Sequence, residues 1–314
     1  MNSAVLSSPA KLNLFLAVTG RRPDGFHELV SVAAPIAWGD TLEVEPAADF
    51  TLECADPQTP GDESNLVLKA ARAFRERTGW KGGAHFRLAK RIPVGAGLGG
   101  GSSNAVAALR GLDRLAGGRL GPADFQELAA GLGSDCPLFL HDGPVIMRGR
   151  GERVEPVPPG AAGRLRGRRV LLFKPGFGVA TPWAYAKLMA LAAEHAQSKP
   201  SALARFFAGR PATYLPVPEA EARLAAWLAD RRAPAEGLLF NNLENAVFTK
   251  FLALPALLRR LRADFALSAA MSGSGSACFA LLPDGLVPEC VDAMVASIRE
   301  AWGPAAYLGE TRLS

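Results

Sequence analysis

Pro93-Val94-Gly95-Ala96-Gly97-Leu98-Gly99-Gly100-Gly101-Ser102-Ser103 runs directly into an alanine- and leucine-rich segment beginning near Asn104. Five of the seven positions from 95 to 101 are glycine. Without Cβ atoms the backbone there is free to adopt positive φ and to turn its N–H groups inward. A helix starting at the end of the loop adds its own unpaired N–H groups and the positive end of its dipole. Loop and helix together form a cradle suited to phosphate. Ser102 and Ser103 are good N-cap residues, and their hydroxyls can reach a phosphate or its metal. The competing reading is a flexible turn ahead of an ordinary helix, and the entropy lost in ordering so many glycines weighs against it.

Gly95, Gly97 and Gly100 also satisfy the bare dinucleotide pattern. That fold needs a uniformly apolar strand before the loop, whereas here Phe86 and Leu88 alternate with polar residues and lead through Lys90 and Arg91 into Pro93. The loop lacks the Gly-Lys-Ser/Thr ending of an ordinary P-loop. The HRD and DFG elements of a protein kinase are missing as well.

A length of 314 residues favours two domains. Apolar residues make up 49% and charged ones 21%, as in ordinary globular proteins. The net charge of +5 suits an anionic substrate but discriminates little. Arg164, Arg166, Arg168 and Arg169 have no interleaved aromatics and read as a solvated loop rather than a nucleic-acid patch. Cys54, Cys136, Cys278 and Cys290 lack the paired spacing of a zinc site or disulfide framework. The four histidines form no HExxH arrangement. With no leader pattern and no apolar run long enough to span a bilayer, the expected compartment is the cytoplasm.

Ser7 to Val18 is an apolar run interrupted by Lys11 and Asn13, followed by the turn-forming Arg22-Pro23-Asp24-Gly25. Strands are predicted over Val30 to Ile36, Asp40 to Pro46, Phe86 to Ile92, Val170 to Lys174 and Ala277 to Leu282. Helices are predicted over Asn65 to Arg77, from Asn104 to the stop at Gly117-Gly118, over Pro122 to Leu132, from Asn241-Asn242-Leu243-Glu244, and over Pro288 to Trp302. Pro156 to Arg169, rich in glycine, proline and arginine, reads as a crossover between domains. Clusters of strands followed by helices, without strict alternation, argue for an α+β fold.

The glycine loop resembles the ATP-binding motif of the GHMP kinases, which phosphorylate small-molecule alcohols. Pro9-Ala10-Lys11-Leu12-Asn13-Leu14 resembles that family's first motif, and Met271-Ser272-Gly273-Ser274-Gly275-Ser276 its third. The resemblance implies a ribosomal protein S5 domain 2-like N-terminal domain over residues 1–163 and a ferredoxin-like C-terminal domain over 164–314. Two further stretches, Gly20-Arg21-Arg22-Pro23-Asp24-Gly25-Phe26-His27-Glu28-Leu29 and Leu132-Gly133-Ser134-Asp135-Cys136-Pro137, resemble the branch acting on a cytidylyl diphosphate sugar alcohol of the non-mevalonate isoprenoid route. The likeness covers nearly the whole chain except about Leu188 to Pro234.

The resemblance implies that Asp135 is the base, hydrogen-bonded to the hydroxyl it deprotonates, and that Lys11 lies near both that hydroxyl and Asp135, favouring ionisation of the hydroxyl. An ion-paired lysine at the core edge and a helix N-cap are the structural alternatives for these two. By the same likeness Pro93 to Ser103 hold ATP, and Asn65 touches the adenine or only caps its helix. Asn13 places the substrate, Phe26 and Tyr185 sandwich the cytosine, and His27 reads its polar edge. Phe26, tyrosine in many relatives, has core packing as its alternative, and Trp183 competes with Tyr185 for the aromatic role. Gly273, Ser274 and Gly275 lie beside the substrate diphosphate, or form a plain strand turn. Asn242 and Asn104 stand where relatives also carry aspartate. Mg2+ accompanies ATP, with Ser102 or Ser103 as conceivable ligands, while the carboxylates define no metal cage. The expected partners are ATP and a small molecule, with no nucleic acid and no membrane. The rival readings are a homoserine or mevalonate kinase, whose substrates offer no base to stack, and a basic S5-like nucleic-acid-binding protein.

Overall fold

The structure, a computed structural model, describes residues 3–197 and 213–314. Part of the stretch from Leu188 to Pro234, which the family motifs do not cover, lies outside the described residues.

The first half is organised by a long antiparallel hairpin, β1 (Ala4–Arg21) and β2 (His27–Ala47). Its turn is closed by Arg22 N–H to Phe26 O at 2.8 Å and by Phe26 N–H to the Asp24 carboxylate at 3.1 Å. The strands expected at Val30 to Ile36 and Asp40 to Pro46 are one strand, whose two halves have different partners. Leu29 to Ala33 pair with β5 (Val145–Gly149), and Thr41 to Ala47 pair with β4 (Gly83–Ala89). Gly39 sits between the halves, where a Cβ would lie 2.2 Å from Ser8 O, so only glycine lets the hairpin stay closed. With β3 (Thr51–Cys54), β6 (Arg153–Pro156) and β8 (Phe240–Asn241), these strands make a seven-stranded sheet.

Both faces of that sheet are covered. On one, Leu6, Val44 and Phe86 share a buried cluster with Phe74 of α1 (Leu66–Thr78) and with Leu109 and Leu112 of α2 (Gly100–Leu115). On the other, Leu12, Leu14, Val30 and Val32 share a cluster with Leu172, Phe279 and Trp227, all from the second half of the chain. Packing on both faces explains why β1 is buried from Ala10 to Val18 and reads as a run rather than an alternation.

The second sheet has the order β11-β7-β10-β9, all antiparallel, from β7 (Arg169–Lys174), β9 (Ala269–Met271), β10 (Cys278–Leu281) and β11 (Tyr307–Arg312). Helices intervene between β7 and β9 and, as Pro288–Trp302, between β10 and β11. That is the β-α-β-β-α-β arrangement of a ferredoxin-like unit. Before β9 the chain returns to the first sheet, where β8 pairs parallel to β1 through Phe15↔Phe240 and Leu16↔Asn241. Among the described residues no helix is long and apolar enough to cross a membrane.

Candidate active site

The glycine loop enters α2 earlier than expected. The helix begins at Gly100, its N-cap is Gly99 with φ +71°, and Ser102 and Ser103 lie in its first turn rather than capping it. The first intrahelical acceptance is Ser103 N–H to Gly99 O at 3.0 Å, so the N–H groups of Gly100, Gly101 and Ser102 end the helix unpaired. Three loop carbonyls are tied outward instead. Leu98 O accepts from Lys11 N–H (2.9 Å), Gly97 O from the Ser272 hydroxyl (3.1 Å) and Ala96 O from Ala277 N–H (3.1 Å). Gly97 has φ +77°, and a Cβ there would lie 2.3 Å from Ser272 O, so the two glycine loops touch backbone to backbone. The Asn241 amide fixes the second loop by donating to Met271 O and Gly273 O, both at 2.8 Å. Thr181 and Ser274 share a hydroxyl contact of 2.8 Å at its outer end.

Register shifts in β1 fall between Pro9 and Lys11 and between Asn13 and Phe15. Such bulges re-aim side chains, and they bracket the two polar residues of this buried strand. Lys11 and Asn13, two apart, share one face. The Lys11 ammonium donates to Asn13 Oδ1 at 2.5 Å and lies 3.4 Å from Asp135 Oδ2. Asn13 in turn donates to the Ser31 hydroxyl (3.0 Å), which donates to Phe15 O (2.6 Å). Every polar atom of this chain is aimed by the next. Lys11 is 4% exposed at its side chain and Asp135 is 37%, so a buried cation faces a carboxylate that opens into the cleft. Asp135 stands in the turn between α3 (Pro122–Leu132) and the short 3-10 helix Pro137–Leu140, whose N-cap is Cys136 without any side-chain cap. Capping therefore does not account for Asp135. Burial, with the Asp135 charge adding to it against a Ser102 hydrogen bond, pushes the Cys136 thiol up to about 12, so it stays protonated and inert.

These groups line a cleft of about 900 Å3 that also includes Asn65, Pro93 to Ser102, Phe26, His27, Tyr185, Gly273 and Ser274. Ser103 and Gly275 are the expected site residues that do not line it. The Ser103 hydroxyl is turned inward and accepts from Ser8 at 2.9 Å. Asn65 caps α1, its Oδ1 accepting from Val67 N–H (2.9 Å) and its amide donating to Pro60 O (2.6 Å) while the residue lines the cleft.

At the far end, Phe26 is 48% exposed, which excludes core packing as its role. The Arg150 guanidinium lies 4.9 Å from its ring centre. His27 meets Tyr185 with ring centres 4.8 Å apart, whereas Trp183 packs edge-on against Phe251. Tyr185, not Trp183, is the aromatic of the cleft. Burial, and secondarily the Arg21 charge, hold the His27 imidazole below its ordinary range, so it is neutral at physiological pH.

Sequence reasoning missed several contributors. Asp40 is fully buried at its side chain and accepts from Lys90 Nζ (2.5 Å), Arg91 N–H (2.7 Å), Ile92 N–H (2.8 Å) and the Asn104 amide (2.9 Å). This hub holds Lys90 and Asn104 against the cleft wall beside Gly100. Ser31, Arg150 and Tyr214 were also missed, and Asn242 serves the frame, pairing with both backbone groups of Val18 (2.9 and 2.8 Å). Among the described residues no group of three or more His, Cys, Asp or Glu side chains gathers in a way that could hold a metal ion.

Comparison with known proteins matches the same regions. The model of the GHMP kinases N terminal domain matches residues 65–143 and that of the GHMP kinases C terminal residues 224–298. The 4-diphosphocytidyl-2-C-methyl-D-erythritol kinase of Synechococcus sp. (strain CC9605) is 39% identical over 284 residues, covering 89% of this chain and 87% of that protein. The protein of that name from Prosthecochloris aestuarii (strain DSM 271 / SK 413) is 33% identical over 309 residues, covering 98% and 99%. A crystal structure of 4-(cytidine 5'-diphospho)-2C-methyl-D-erythritol kinase is similar at a TM-score of 0.70 and 34% identity, covering 99% of this chain and all of that one. With the two-sheet fold, the paired glycine loops and the Lys11–Asp135 couple already in hand, this places the chain in the GHMP kinase family, among its 4-diphosphocytidyl-2-C-methyl-D-erythritol kinases.

Proposed function

We propose that the chain transfers the γ-phosphoryl group of ATP to the 2-hydroxyl of 4-diphosphocytidyl-2-C-methyl-D-erythritol, a step of non-mevalonate isoprenoid synthesis. The observation that carries this reading is the contact of 3.4 Å between Lys11 and Asp135 in one cleft with the glycine loop. Phosphoryl transfer through a loose transition state asks the protein mainly for positioning and charge stabilisation. The unpaired N–H groups of Gly100 to Ser102 and the dipole of α2 oppose the charge of the triphosphate. Asp135 accepts the hydroxyl proton, and the neighbouring Lys11 ammonium favours the ionised hydroxyl. Asn13 orients Lys11. Phe26 and Tyr185 stack the cytosine, His27 reads its edge, and Gly273 and Ser274 flank the substrate diphosphate.

Mg2+ enters this reading with ATP. Among the described residues no carboxylate cage gathers, so phosphate oxygens and water would supply most of the ion's ligands. Ser102 is the serine of the pair that reaches the cleft, because Ser103 is engaged with Ser8. We place the domain division at 163/164, in the crossover between β6 and β7.

The test is an ATP-consumption assay against the cytidylyl substrate, homoserine and mevalonate. Turnover of the cytidylyl substrate alone is expected. Turnover of homoserine or mevalonate instead, or steeply salt-dependent RNA binding without ATP turnover, overturns the proposal.

A further inference from the structure

His27 is held from two sides. One face meets Tyr185 in the cleft, and on the other side Tyr214 approaches with ring centres 5.9 Å apart and its hydroxyl 3.2 Å from Nε2. Tyr214 does not line the cleft, and its hydroxyl meets the site at His27. Its own position is fixed by backbone bonds on either side. Leu215 N–H donates to Val18 O at 3.1 Å, and Thr213 O accepts from the Asn242 amide at 3.3 Å. Leu215 is fully buried, so the tyrosine is anchored to the end of β1, one hairpin turn from His27.

We propose that Tyr214 is a positioning residue that fixes the tautomer of His27 and thereby selects the base of the substrate. The inference rests on the cytidylyl reading above. A phenol is the better proton donor and an imidazole nitrogen the better acceptor, so the Tyr214 O–H donates to Nε2. The single proton of the neutral ring then sits on Nδ1. Among the described residues Nδ1 meets no hydrogen-bond partner, which leaves it as a donor for the substrate. A donor suits cytosine N3, an acceptor, whereas O2 accepts in both pyrimidines and does not discriminate. Uracil carries a proton on N3, so the same donor meets a donor there and is rejected.

Tyr214→Phe removes the hydroxyl and keeps the ring. The full-length protein is measured in two ways. Nitrogen-15 NMR of the imidazoles, with the His27 signal assigned from His27→Asn, is expected to show the Nδ1–H form in the wild type and a shift toward Nε2–H in Tyr214→Phe. Steady-state kinetics are expected to show KM for the cytidylyl substrate raised about tenfold, as for one lost hydrogen bond. The KM for ATP should stay the same, kcat should change less than threefold, and the preference for cytidylyl over uridylyl substrate should shrink. A wild-type His27 protonated on Nε2 overturns the inference. So does a Tyr214→Phe enzyme with unchanged KM and base preference, or one in which kcat and both KM values deteriorate together. If the wild type does not turn over the cytidylyl substrate, the proposed function falls, and the NMR result alone then decides the tautomer.

Discussion

The Ser272 hydroxyl donates to the Gly97 carbonyl at 3.1 Å across 175 residues of chain, and the same hydroxyl accepts from Asn13 N–H at 3.3 Å. One buried serine therefore joins the first glycine loop, the strand that carries Lys11, and the second glycine loop. The opposite half of the molecule thus shares the grip on the loop with Lys11 N–H, and substitutions at the seam should act on both halves.

Gly97→Ala places a methyl group 2.3 Å from Ser272 O at a backbone φ of +77°. The strain and the clash together should cost about 2–4 kcal/mol and raise the KM for ATP. Gly101 offers the control, since its Cβ would meet only Leu66 at 3.5 Å within α2. Gly101→Ala should be neutral or stabilising by up to about 1 kcal/mol. Urea denaturation of the two variants compares them directly.

Asp135→Asn should lower kcat by about 10²–10⁴, the range of a lost general base, with the KM for ATP close to wild type. Lys11→Met should lower kcat by about 10²–10³, as when a transition-state donor is removed. Because the two groups touch, the double variant should be little worse than the poorer single one. Near-normal turnover by Asp135→Asn removes it from the proposed role of base.

Asp40→Ala leaves the buried Lys90 ammonium without its counter-charge and strips acceptors from Arg91, Ile92 and Asn104. A loss of about 3–5 kcal/mol is expected. Asp40→Leu combined with Lys90→Met should recover part of that stability, because no uncompensated charge then remains. Chemical denaturation measures both, and a single variant as stable as the wild type rejects the hub.

Burial also keeps His141 below its ordinary range, as it does His27. Between their folded values and about 6.5 the unfolded chain binds more protons than the folded one. Stability is therefore fully present above that value and declines as pH falls through it. Thermal melts from pH 7.5 to 5 should show the decline, and His27→Asn should flatten it.

Much of the site was legible because its residues are out of character for their surroundings. Glycines crowded before a helix, and a lysine and an asparagine inside an apolar strand, are costly unless they serve something. The cap at Asn65 followed from local chemistry alone. Asp40 was not legible as a hub, because an aspartate after a glycine reads as the polar start of a strand until four donors converge on it. Tyr214 acts through His27 from 187 positions away, a distance over which no local pattern carries information. α2 starts before Asn104, where the sequence places it, because glycine lowers helix propensity while Gly100 and Gly101 nonetheless open the helix. The helix Ala253–Phe265 and β11 were also missing from the sequence reading, and β8, two residues long, exists only because β1 offers it an edge.

The pairing of β8 with β1 also sets an order of assembly on the ribosome. A nascent chain that has emerged only through the crossover carries the outer edge of β1 bare, with its backbone groups open to any passing strand. The first glycine loop is by then complete, yet the serine that clamps it is still to be translated. A polypeptide released before Ser272 would have the loop without its clamp. Catalytic competence in this enzyme therefore comes late in synthesis, and fragments ending earlier are candidates for aggregation rather than for partial activity.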